Sequence, residues 1–139
     1  MRRWLMKSEP DVFSWADLVA VGQKGEEWHG VRNYLARNNM RAMQLGDPVF
    51  YYHSNIGLEI VGIAEVCALS HPDSTAGLDH RWDCVDIRAV QPLPRPVTLK
   101  QVKATPELAQ MSLITSMRLS VQPVTDEEWA IICRMAGQE

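Results

Sequence analysis

The stretch Gly46-Asp47-Pro48-Val49-Phe50-Tyr51-Tyr52-His53-Ser54-Asn55-Ile56-Gly57-Leu58-Glu59-Ile60-Val61-Gly62-Ile63-Ala64-Glu65-Val66 carries two strand signals around one turn. Val49 to His53 is a run of aromatic and β-branched residues, which fit a pleated, half-buried surface. Ser54-Asn55-Ile56-Gly57 is turn chemistry. Ile60 to Val66 returns as a second strand, and Gly62 inside it marks a bend or a close approach of other atoms. Side chains alternate across a strand. Phe50 and Tyr52 therefore share one face, and Tyr51 and His53 the other. One pair can pack a core while the second faces a pocket, or both can be core with their polar tips at the surface.

Outward from this pair, the elements stay short. Trp4-Leu5-Met6 is a strand that Pro10 prevents from continuing. Ser14 with Asp17 forms a capping box for a helix bearing Trp15 and Leu18, which Gly22 and Gly25 end. Asn33 caps a helix over 33–43 whose apolar side is Leu35, Ala36, Met40 and Met43. The segment 70–80 reads as a polar loop, and Trp82 to Val90 alternates as another strand. Gln91-Pro92-Leu93-Pro94-Arg95-Pro96 reads as irregular, because proline lacks the ladder N–H. Thr98 with Gln101 starts a helical turn, and Thr105-Pro106 starts another. Arg118 to Val121 is a last strand, and Thr125 with Glu128 caps a terminal helix whose inner face holds Trp129, Ile132, Cys133 and Ala136. Strands and helices alternate without a βαβ rhythm, which disfavours a doubly wound parallel sheet. A mostly antiparallel α+β barrel of five to six strands dressed with short helices fits best, and an open sheet with helices on one face comes second.

The chain has 139 residues, one ordinary domain spanning 1–139, with 46% apolar and 22% charged residues. That composition excludes a disordered chain, and no apolar run is long enough to span a membrane. No signal peptide is expected, since charge returns at Lys7. Net charge is 14 − 17 = −3, so a globally basic nucleic-acid coat is excluded while a local basic face is not. The cysteines at 67, 84 and 133 match no zinc or redox spacing, which suggests reduced thiols in the cytoplasm and neither metal nor cofactor.

The most unusual window is Trp28 to Gly46, WHGVRNYLARNNMRAMQLG. It holds three of the 14 Lys and Arg and none of the 17 acids. Arg37 and Arg41 share a helix face, with Asn33, Tyr34, Asn38 and Asn39 interleaved. Guanidinium groups bind phosphate bidentately, asparagine reads base edges, and aromatic rings stack on bases. The bland alternative is an exposed helix with solvated arginines.

Several blocks together carry a resemblance. WLMKSEP at 4–10, WxGVRNYxARNNMRAM at 28–43, GDxVFYYHSN at 46–55, GIAEV at 62–66 and RLSVQPV at 118–124 resemble the EVE domain family of the PUA-like superfamily, in order and over nearly the whole chain. His29 stands in Trp-His-Gly where the pattern leads one to expect Asp.

The resemblance implies a PUA-like pseudobarrel flanked by helices, whose pocket accepts a base flipped out of nucleic acid. A methylated or otherwise modified cytosine in DNA is the favoured ligand, with RNA as the alternative, and no catalytic machinery is implied. Such a pocket needs an aromatic wall, polar groups for the base edge and cations for the backbone. Trp28 is expected to present its ring face as the stacking wall, with Tyr52 or His53 opposite. Ser8, Ser54, Asn33 and Ser120 are expected at the base edge. Lys7, Arg32, Arg37 and Arg118 are expected at phosphates.

Two other functions compete. A hydrolase or deaminase would draw on His80, Cys84, Asp79 and Asp83, or on His53-Ser54, yet neither the deaminase signature nor a nucleophile elbow is present. A protein adaptor would use the same pocket, with some of the seven methionines as an adaptable patch.

Overall fold

The computed structural model describes residues 1–138. Six strands, β1 (Arg3–Ser8), β2 (Glu26–Glu27), β3 (Pro48–His53), β4 (Glu59–Pro72), β5 (Asp83–Thr98) and β6 (Val121–Val124), form one sheet in the order β2-β5-β4-β3-β1-β6. All pairs are antiparallel except β1 with β3. Five helices surround the sheet: α1 (Trp15–Val21), α2 (Tyr34–Ala42), α3 (Leu99–Lys103), α4 (Ser112–Thr115) and α5 (Asp126–Ala136), with short 3-10 turns at Gly22–Lys24 and Pro106–Leu108. This is the α+β architecture expected, with two strands much longer than the sequence indicated. Among the described residues no helix is long and apolar enough to cross a membrane.

The capping signals act as read. Ser14 with Asp17, Thr98 with Gln101 and Thr125 with Glu128 each close a reciprocal capping box, and the Asn33 side chain accepts from Ala36 N. On α2 the buried residues are Ala36 and Met40, whereas Leu35 is 56% exposed. The helix packs on the sheet along a narrower stripe than the apolar residues suggested.

Two readings need correction. β5 runs on through Pro92, Pro94 and Pro96 to Thr98. β2 pairs with β5 only at Asp86 and Ile87, so beyond that point one edge of β5 has no strand beside it. An edge strand tolerates the missing N–H groups. The last strand is Val121–Val124, set by its register against β1, which leaves 118–120 outside it as the end of a turn and the connection to the strand.

Register shifts at four places along the β4–β5 pair bend this long hairpin. The two sides of the sheet hold separate cores. Trp4, Met6, Trp28, Met40 and Tyr51 cluster on one side, and Leu5, Phe50, Tyr52, Val102 and Trp129 on the other. The alternation along β3 thus divides its aromatics as predicted, and Phe50 stacks on Trp129 at 3.7 Å. Gly62 sits beneath the Trp15 ring, where a Cβ would fall 2.6 Å from ring carbons. Gly25, at φ +72°, lets β2 approach β5 so closely that a Cβ would meet the Ile87 carbonyl at 2.6 Å.

Candidate nucleic-acid interface

Strands β1 and β3 run parallel and end together. Ser8 pairs with His53, and the Ser54 amide donates to the Ser8 carbonyl at 2.9 Å. Beside these carboxyl ends lies the segment that carries β2 and Trp28. A cleft of about 240 Å³ opens between them. Its walls are Ser8, Val12 and Phe13 on one side, and Glu26, Glu27, Trp28 and His29 on the other.

Trp28 is not displayed as a free ring. It is only 8% exposed and belongs to the core. Phe13 meets it edge-on at 6.3 Å and Tyr51 at 5.6 Å. Its amide donates to the Val85 carbonyl at 2.9 Å. The indole therefore borders the cleft from within the core and is held rigidly there. Tyr51 completes the support. It is fully buried, its hydroxyl donates to the Phe13 carbonyl at 2.7 Å, and burial pushes its pKa above the ordinary tyrosine value. That bond ties the 9–13 loop to the strand beneath it.

The Trp28 wall is fixed from outside by Asp73. This carboxylate, its side chain 1% exposed, accepts from the Gly30 amide at 2.8 Å and from Arg32 Nη1 at 3.0 Å. It also accepts from Thr75 N at 2.7 Å and Thr75 Oγ1 at 2.6 Å. Burial alone would raise its pKa; the hydrogen bonds from Thr75, Gly30 and Arg32 prevail and hold it well below the usual carboxylate range.

Acids brought in by the 73–83 segment, distant in sequence, meet the arginines of the acid-free window. Arg32 binds Asp73 and also reaches Thr75 and the Val31 carbonyl, so the structure gives it a supporting place. Arg41 pairs with Asp83 at 2.6 Å. Arg37 meets no acid among the described residues: it donates to Asn38 and to the Arg81 carbonyl, and lies over Tyr34 at 4.9 Å. Tyr34 in turn stacks on Trp82 at 5.0 Å. Arg118 is exposed, and no hydrogen bond or ion pair of its side chain is found among the described residues.

Some of the expected residues line one of two clefts, and others line neither. Ser8 and Trp28 share the cleft just described. Lys7, Tyr52 and Ser54 line a second cleft of about 220 Å³, with Leu58, Leu99 and Met117. Tyr52 faces the other core, so it stands on the far side of the sheet from Trp28 and not opposite it. The half-buried Lys7 ammonium donates to the Met117 carbonyl at 2.7 Å, and burial lowers its pKa. Ser120 contributes its carbonyl, which accepts from the Lys7 amide at 2.9 Å. Asn33 uses its side-chain oxygen to cap α2. His53 Nε2 accepts from the Trp15 amide at 3.0 Å, and burial, opposed by Glu59, holds its pKa below the ordinary histidine value.

Phe13, Glu26 and Glu27 are cleft residues that the sequence did not single out. A Glu-Glu pair before a tryptophan looks like surface, and only the pairing of β2 with β5 places it here. A larger, open groove of about 430 Å³ near Leu58, Thr98 and Lys103 has no aromatic side chain. It gives a base nothing to stack on. The candidate catalytic groups fare no better. Cys84 is completely buried and burial pushes its thiol up to about 12, and the Nε2 of His53 is already committed to Trp15.

Comparison with known proteins adds to this geometry. Residues 2–135 match the family model described as EVE domain. Thymocyte nuclear protein 1 of Mus musculus is 36% identical over 98% of this chain and 74% of its own length. Among solved structures, protein Atu2648 from Agrobacterium tumefaciens is 66% identical, with a TM-score of 0.98 over 99% of this chain and 94% of that one. Human THYN1, crystallised in complex with 5-methylcytosine-containing DNA, is 34% identical, with a TM-score of 0.93 over 100% and 99%.

Proposed function

We propose, from the premise that this chain belongs to the EVE domain family, that it binds nucleic acid and takes one modified, cytosine-type base into the cleft between Ser8 and Trp28. The observation that carries this reading is the cleft itself: two aromatic side chains, one serine and the acidic residue Glu26 at the carboxyl ends of a parallel strand pair. At about 240 Å³ it is smaller than the sites of drug-sized ligands, roughly 300–1,000 Å³, which suits a single base. Phe13 and Trp28 supply apolar surface for a ring and a methyl group. Ser8 offers a hydroxyl and backbone for the base edge. Carboxylates accept from the exocyclic amine of cytosine, and Glu26, which lines the cleft, takes that role in this reading. The same carboxylate repels phosphate, so the base enters and the backbone stays outside. The human relative bound to 5-methylcytosine DNA supports the ligand class.

Of the four cations expected at phosphates, Arg37, Arg118 and Lys7 have no acidic partner among the described residues, and the backbone contacts fall to them. Arg32 acts one step back, by holding the Trp28–Gly30 segment through Asp73. A flipped base costs a few kcal/mol of lost stacking and pairing, so single-stranded or mismatched sites bind better. Reading a methyl group by apolar contact gives about 1–3 kcal/mol of selectivity. The reading is one of recognition and not of catalysis.

Binding to oligonucleotides with cytosine or 5-methylcytosine at one position, in DNA and in RNA, tests this. The expected result is tighter binding of the modified strand, weakened by Ser8→Ala and by Glu26→Gln. Equal affinity for modified and plain strands, unchanged in both variants, overturns it.

A further inference from the structure

The register of β2, β5 and β4 gathers four metal-type ligands on one face of the sheet. Cys84 and Asp86 lie two apart on β5, so their side chains point the same way. His71 of β4 is the cross-strand partner of Cys84, and Glu27 of β2 is the partner of Asp86. A carboxylate oxygen of Glu27, a ring nitrogen of His71 and the Cys84 sulfur all lie within 4.8 Å of one another. We propose that Glu27, His71 and Cys84 form a binding site for a zinc-type divalent cation, with Asp86 orienting the histidine.

The chemistry of the set favours zinc. Thiolate, imidazole and carboxylate together are ligands of borderline-soft zinc, whereas calcium and magnesium take oxygen alone. Cys84 is completely buried, and no hydrogen bond of its sulfur is found among the described residues. It is a polar atom, aimed at the cluster, without a partner. Four carboxylates, Glu27, Asp73, Asp83 and Asp86, act on it, so the pocket is electronegative. Each ring nitrogen of His71 meets an oxygen: Nε2 meets Asp86 Oδ1 at 2.7 Å and Nδ1 meets the Pro72 carbonyl at 3.2 Å. Whichever nitrogen turns to the cation, the other keeps an oxygen that fixes the ring. Glu27 is at present hydrogen-bonded by Ser74, which is exposed and can release it to water.

Such a cation would join β2, a strand of only two residues, to β4 and β5. β2 leads directly into Trp28, so the role assigned is structural, beneath the cleft wall.

The test is titration of chelator-stripped protein with Co(II), followed by displacement with Zn(II). The expected result is one cobalt per chain with a thiolate-to-metal charge-transfer band, lost on adding zinc and absent from Cys84→Ala and His71→Gln. Asp86→Asn, which removes only the orienting group, should weaken binding about 10–100-fold. Variants of the half-exposed Cys67 and the exposed His29 should bind as the parent does. Should Cys84→Ala fail to fold, His71→Gln, altered at a partly exposed position, decides the question by the same band. Absence of a thiolate band in the parent protein overturns the proposal, as does a band that survives in both variants. Neither result depends on nucleic-acid binding.

Discussion

Replacing Asp73 by alanine removes the acceptor of four hydrogen bonds without touching any residue that lines the cleft. Thr75 is exposed, so its two donors recover water and add little. The loss falls on the Gly30 amide and on Arg32. A hydrogen bond to a charged acceptor contributes about 1.5–3 kcal/mol, and the Gly30 bond belongs near the lower end because Gly30 is exposed. The Arg32 side chain is 38% exposed, which reduces its pairing to at most about 1 kcal/mol. The sum is about 2 kcal/mol. With a urea dependence of ~2 kcal/mol/M, the unfolding midpoint should fall by about 1 M. Asp73→Asn, which keeps the shape and loses the charge, should lose about half as much. The indole N–H signal of Trp28 should shift in both variants, because its wall is no longer anchored at Gly30. Arg32→Ala completes the set. If Arg32 only supports the wall, this variant weakens oligonucleotide binding without changing its salt dependence. A phosphate contact would instead reduce the slope of log affinity against log salt by ~0.7–0.9. The reasoning is refuted if Asp73→Ala unfolds within about 0.5 kcal/mol of the parent, or if Arg32→Ala flattens that slope.

Arg118→Ala and Arg37→Ala should each reduce the same slope by ~0.7–0.9, since neither guanidinium has an acidic partner to release; fluorescence anisotropy across a salt series measures this. Gly25→Ala should destabilise by ~2 kcal/mol or more, because it combines a left-handed backbone with a clash against the Ile87 carbonyl, and denaturant unfolding shows it. His53 is held neutral while its unfolded counterpart titrates near 6.5. The unfolded chain therefore binds the proton first, so stability is complete above about pH 6.5 and declines as pH falls through the depressed folded value. His53→Gln should flatten that part of the curve of unfolding free energy against pH.

Local signals in this chain carried the local structure. Three capping boxes and the Asn33 cap start the helices where serine, threonine and asparagine stand, because the cap bond closes within three residues and needs nothing distant. Strand ends were less legible. Three prolines argue against a strand unless one edge is known to be free, and that depends on how few residues of β2 reach β5. The length of the β4–β5 hairpin rests on four register shifts, each a balance between two strands that neither encodes alone.

The site was legible in its parts and not in their assembly. Trp28 and Ser8 do meet at one cleft, but the run of arginines misled for a specific reason. A window free of acids is basic only if nothing acidic folds against it, and here the 73–83 segment supplies Asp73 to Arg32 and Asp83 to Arg41. The sequence separation of about forty residues in both pairs hides the neutralisation from any local reading. What survives as positive surface is set by which guanidinium groups lack a carboxylate, and of the four basic residues expected at phosphates, Arg37 and Arg118 are the arginines without one among the described residues. The same logic runs in the opposite sense at Glu26 and Glu27. They look like solvated acids in the sequence, yet the pairing of β2 with β5 brings both residues to the cleft, with the Glu27 carboxylate held by Ser74 beside His71 and Cys84. The division of labour at this surface follows from tertiary charge pairing. In the proposed reading, that pairing assigns the base to the aromatic cleft and leaves the strand backbone to cations outside it.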